Sequence, residues 1–107
     1  VGRGAIGKPW VLAEIAAALE GRTVDLRPRG AAYGDLVARH AHAHLDFYGE
    51  EVGVRAMRKH LDAYLAQVPG SGDLRTRLIR ETDRGRLFDG FNELGALDAA
   101  ADRRLAA

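Results

Sequence analysis

Arg55, Arg58, Lys59 and Asp62 recur at i, i+3, i+4 and i+7, the spacing that places side chains on one face of an α-helix. Val54, Leu61 and Leu65 fall on the opposite face, so three cations share one outward surface. Such a surface neutralises the phosphates of an anionic polymer and orients it without reading its bases. The alternative is a solvated face whose cations pair locally with Asp62 or Glu51. His60 sits between the apolar and basic faces, where it hydrogen-bonds a ligand or closes the edge of the core. It is nearly neutral at pH 7 and therefore a weaker anion anchor than the three cations.

His40 and His44 are one helical turn apart and within reach of a common ion. Both fall on an apolar stripe, the chain has no cysteine, and no H-E-x-x-H pattern occurs. They read as core histidines with satisfied ring nitrogens, and no metal site is expected. His42 points to solvent. Trp10, Tyr48 and Tyr64 carry rings able to stack on bases, but their helical positions assign them to packing. Gly2, Arg3 and Gly4 open a glycine-rich turn before a helix start, an arrangement that leaves backbone N–H groups free for an anion. A plain tight turn has the same composition.

These groups need helices to hold them. Residues 1–10 read as a strand end, a glycine turn and a helix start, with Pro9 in the first turn. The helix runs to about Glu20, with Trp10, Val11, Ile15, Ala18 and Leu19 on one face, and Gly21 ends it. Residues 22–30 show no period and form a linker. Tyr33, Leu36, Val37, His40, Ala41, His44, Leu45 and Tyr48 make one continuous stripe of a second helix ended by Gly49. A third begins near Glu50 or Glu51, buries Val54, Met57, Leu61, Tyr64, Leu65 and Val68, and stops at Pro69-Gly70. Ser71 or Asp73 caps a short fourth helix that buries Leu74, Leu78 and Ile79. Asp83 caps a fifth, with Leu87, Phe88, Phe91 and Leu94, that frays near its alanine-rich end. Short connections imply antiparallel neighbours. The expected fold is an all-α bundle over residues 31–107, preceded over residues 1–21 by the last strand-turn-helix remnant of a barrel.

The chain of 107 residues is 47% apolar and 29% charged, ordinary for a folded protein. Its lack of cysteine excludes disulfides and thiolate chemistry. No apolar run approaches the roughly 20 residues that span a bilayer, and Val1 to Trp10 has glycines where a signal peptide would be apolar. The net charge is +1, but residues 55–86 carry eight basic and four acidic side chains. That block is what an anionic partner would feel.

Three segments together resemble the tRNA-dihydrouridine synthases, especially the bacterial B-type. GRGAIGKPW over residues 2–10 is similar to the family run GRxxxGxPW. HLDFYGE over residues 44–50 is similar to its H-x-x-F-Y-G helix end. GVRAMRKHLDAY over residues 53–64 is similar to G-x-R-x-x-R-K-H-x-x-W-Y. The likeness covers residues 1–70 well; Ala63 departs from it where the family often has Trp. The resemblance implies a cytoplasmic flavoprotein: an FMN barrel, reduced by NADPH, followed by a helical domain that holds tRNA. It places the FMN phosphate at Gly2, Arg3 and Gly4, and tRNA at Arg55, Arg58, Lys59 and His60. It also implies a barrel, N-terminal to this chain, that supplies the cysteine and the catalysis. A helical protein-interaction module without an RNA role is the alternative.

Overall fold

Apolar side chains at helical spacing must be buried along one stripe per helix, and the chain does this with five helices. The computed structural model describes residues 7–106: α1 (Val11–Leu19), α2 (Ala31–Tyr48), α3 (Glu50–Ala66), α4 (Gly72–Leu78) and α5 (Arg84–Ala106). No strand occurs among the described residues. The expected strand end and the turn at Gly2, Arg3 and Gly4 lie outside them.

Helix α2 is the centre of the bundle, packed on α3 and on α5, while α4 bridges α3 and α5. Its stripe of Tyr33, Val37, Ala41 and Leu45 meets Val54, Met57, Leu61, Tyr64, Leu65 and Val68, all buried. Leu74, Leu78, Leu87, Phe91 and Leu94 complete one continuous core. Each large side chain buried there contributes about 1.5–3 kcal/mol. Gly34 sets the α2–α5 distance. A Cβ at this position would lie 2.6 Å from the Phe91 carbonyl oxygen and 3.4 Å from Gly95. The backbones therefore approach more closely than any side chain would allow.

Helix ends follow their chemistry. Gly21 has φ +82°, and its N–H donates to the Ala18 carbonyl while that of Arg22 donates to Ala17. This pair satisfies two of the carbonyls left open at the end of α1. Asp83 caps α5 by accepting from the Arg86 N–H at 2.9 Å. Ser71 does not cap α4 through its side chain. Its buried hydroxyl donates instead to the Leu65 carbonyl at 2.6 Å, tying α4 back to the end of α3.

Two expectations need correction. Helix α5 continues through the alanine-rich stretch, because alanine is the best helix former and Asp98 and Ala101 are buried along it. In α1 the buried residue is Ala17, while Ile15, Ala18 and Leu19 are exposed. Helix α1 is not packed on another helix; its apolar face, which includes Leu12, looks outward. Residues 22–30 carry no helix, as expected, and they are pinned to α5. The Arg27 guanidinium donates twice to the buried Asp98 carboxylate, at 3.0 and 3.2 Å, and the Gly30 N–H donates to the same carboxylate at 2.8 Å. Arg27 also lies 4.2 Å from the centre of the Tyr33 ring, a cation–π contact.

Candidate nucleic-acid interface

Helix α3 holds its cations outward because its other face is locked to α2. The Tyr33 hydroxyl donates to the Tyr64 carbonyl at 2.6 Å, and the Tyr64 hydroxyl lies 2.8 Å from Nδ1 of His40. Both tyrosines are fully buried, and burial pushes the Tyr64 hydroxyl up to about 12, so it stays protonated. Gly53 brings the helices together: a Cβ there would lie 2.8 Å from both the His44 carbonyl oxygen and the Leu45 Cα.

On the outer side Arg55 and Lys59 are exposed, and neither forms an ion pair among the described residues. Asp62 is taken by Arg75 of α4. The local pairing that would have neutralised the face through Asp62 is therefore not formed. Arg55 and Lys59 flank an open cleft of about 350 Å³ together with His44, Tyr48, Ala56 and His60. Arg58 departs from this group. It is half-buried, its Nε is buried without a hydrogen-bond partner, and it lines a second depression with Glu50, Glu51, Val54, Arg55 and Thr82. The predicted ridge is thus split: two cations meet the cleft, and the third lies beside two carboxylates.

His60 turns inward to α2. Its ring centre is 4.5 Å from that of His40 and 5.1 Å from that of His44, and its Nδ1 is buried without a partner. The sequence pairs His40 with His44, but it contains no sign that His60 joins them from the next helix. His42 is exposed and lies 3.1 Å from Asp46. Trp10 and Tyr64 pack as expected, Trp10 edge-on to Tyr33 at 6.3 Å. Tyr48 does not, being 48% exposed at the mouth of the cleft beside Phe47, which is 80% exposed. Two neighbouring open rings next to two open cations form a surface that suits nucleic acid. Ala63 has a visible reason to be small. A Cβ on Gly7 would lie 2.6 Å from that of Ala63, and Gln67 donates to the Gly7 carbonyl. A tryptophan ring at position 63 would displace this segment from α3.

Burial, followed by the neighbouring His60 and His44, pushes His40 down to about 4 from 6.5. Burial, then His44 and Lys59, lowers His60 as well. An unfolded chain takes up protons on these rings near pH 6.5, whereas the folded chain resists until lower pH. Stability is therefore present above pH 6.5 and is lost as pH falls toward 4. At about 1.4 kcal/mol per pH unit, discounted for partial exposure, the expected loss is of order 2 kcal/mol. Urea unfolding in the presence of a chelator at pH 7 and pH 4.5 measures it, and His40→Gln should shrink the difference.

Residues 1–100 match the family model described as "Dihydrouridine synthase (Dus)". The chain is 46% identical over 83 residues to "Probable tRNA-dihydrouridine synthase" of Rhodobacter capsulatus, 78% of this chain and 25% of that protein. It is 40% identical over 84 residues to "tRNA-dihydrouridine synthase B" of Pseudomonas aeruginosa, again 78% and 25%. With the Mycobacterium leprae "Probable tRNA-dihydrouridine synthase" it shares 37% over 78 residues, 73% and 20%. The chain thus spans about a quarter or less of the length of these relatives. No solved structure matches it. With the family model covering nearly the whole sequence, the chain belongs to the dihydrouridine synthase family.

Proposed function

We propose that this chain is the helical, tRNA-holding part of a cytoplasmic FMN-dependent tRNA-dihydrouridine synthase. The observation that carries the reading is the cleft where Arg55 and Lys59, both exposed and unpaired among the described residues, meet Tyr48, His44 and His60. A tRNA backbone laid there places phosphates on the two cations, with Tyr48 and Phe47 at its edge. His60 serves as a positioning group below the cleft rather than as a direct phosphate anchor, and Arg58 contributes a weaker contact.

In the whole protein FMN, reduced by NADPH, supplies the hydride that converts uridine to dihydrouridine. The described residues do not fit the flavin itself, because the depressions beside α3 are open surface clefts. Gly2, Arg3 and Gly4, to which we assign the FMN phosphate, lie outside them. This chain does not catalyse; it binds and orients the substrate. The barrel of the same protein is its partner, and the outward apolar face of Leu12, Ile15 and Leu19 is the surface that suits such a neighbour. Residues 1–21 then form the last unit of that barrel, residues 22–30 the connection, and residues 31–107 the tRNA-binding domain.

A filter-binding titration of the 107-residue chain with unmodified tRNA across salt concentrations tests the reading. Binding should weaken steeply as salt rises, by about 0.7–0.9 log units per log unit of salt for each phosphate contacted. Absence of binding at low salt, together with retained folding, would favour the protein-interaction module instead.

A further inference from the structure

The sequence pairs two histidines on α2, but the bundle adds a third from α3. His40, His44 and His60 each offer a ring nitrogen, and these ligand atoms all lie within 4.8 Å of one another. The ring centres are 4.8, 4.5 and 5.1 Å apart. We infer that His40, His44 and His60 form a binding site for one divalent transition-metal ion of the Zn²⁺ class.

Three imidazoles around a tetrahedral zinc, with bonds of about 2.0–2.1 Å, place their nitrogens about 3.4 Å apart. The widest separation allowed here, 4.8 Å, exceeds that by about 1.4 Å, a gap that small ring rotations can close. An all-imidazole set suits zinc, copper and nickel and disfavours magnesium and calcium. Among the described residues this is the one group of three potential ligands so arranged.

The surroundings fit a metal centre in two further ways. His40 has its Nδ1 held by the fully buried Tyr64 hydroxyl at 2.8 Å. With Nδ1–H donating to that oxygen, the lone pair is left on Nε2 as the atom free to bind a metal. A ring nitrogen fixed by a hydrogen bond behind the ligand atom is the usual support of a metal-bound histidine. The Nδ1 of His60 is buried with no protein partner, an unmet hydrogen-bonding demand. A metal bound through that atom would meet it. His44 and His60 also line the cleft beside Tyr48, which gives an ion a route in from solvent. Nearby Lys59 and Arg55 oppose a dication, which limits affinity but leaves the donor set unchanged.

The test uses the 107-residue chain without a polyhistidine tag, stripped with a chelator and titrated with zinc chloride alone. Calorimetry and metal analysis after gel filtration should give one zinc per chain. His60→Ala and His44→Ala should each weaken binding by at least about 100-fold, more than the roughly 10–100-fold expected for loss of a supporting partner. Tyr64→Phe should fall within that smaller range, and His42→Ala should bind as the parent does. In the unsubstituted chain, ring-nitrogen resonances of His40, His44 and His60 should shift with zinc while those of His42 stay in place. That readout stands even if a variant fails to fold. No retained zinc, equal weakening by His42→Ala, or shifts that leave out any of the three rings would overturn the site. None of these outcomes bears on tRNA binding, which is measured separately.

Discussion

Arg55→Ala combined with Lys59→Ala should weaken tRNA binding by roughly 30-fold at low salt, taking about 1 kcal/mol for each lost phosphate contact. It should also lower the salt dependence by about 1.4–1.8 units of log–log slope, because two fewer phosphates are neutralised. The two side chains are exposed and share one cleft, so their removal leaves the core intact and the far-ultraviolet spectrum unchanged. Arg103→Ala with Arg104→Ala is the matched control. These residues lie past Ala99, which contacts Gly30 at the start of α2, whereas Arg55 lies beside Tyr48 at its other end. Equal removal of charge there should cost much less. Arg58→Ala should fall between the two, since Arg58 is half-buried beside Glu50 and Glu51.

Asp98→Ala should destabilise the fold by about 3–5 kcal/mol. The Asp98 side chain is 7% exposed, forms a two-pronged pair with Arg27, and accepts from the Gly30 N–H at 2.8 Å. Its removal strands a mostly buried guanidinium, whose side chain is 13% exposed, and a buried backbone donor. Asp98→Asn keeps an acceptor and should cost less. Asp98→Ala with Arg27→Met should recover much of the loss, because removing both charges removes the stranded one. The urea midpoint, read at constant slope, measures all three. Since Arg27 also lies on Tyr33, whose hydroxyl donates to the Tyr64 carbonyl, the loss should loosen the segment between Gly21 and Gly30 first.

The order and type of helices are legible because each stripe obeys a single period, and α3 shows this best: Val54, Met57, Leu61, Tyr64, Leu65 and Val68 are all buried. Periodicity says which residues share a face but not what covers it, so Ile15 and Leu19 read as buried and stand exposed. Cross-helix register is the second gap. His60 meets His40 and His44 only because Gly53 lets α3 close on α2, a distance no spacing within one helix encodes. Asp98 is the third. No spacing singles it out, because its partners Arg27 and Gly30 lie 71 and 68 residues away. The basic face itself is legible at Arg55 and Lys59, whereas the inward lean of Arg58 depends on how the turn before α5, at Thr82, packs near the start of α3.

If the open cationic cleft of α3 holds tRNA, one lysine reports it. Lysine occurs only at positions 8 and 59, and both are exposed. Amine acylation of the free chain and of its tRNA complex, read by peptide mass spectrometry, reports Lys59 directly. Lys59 should be protected by tRNA, more strongly than Lys8, with the protection lost as salt releases the RNA. Acylation of Lys59 at the same rate in the saturated complex as in the free chain would contradict it.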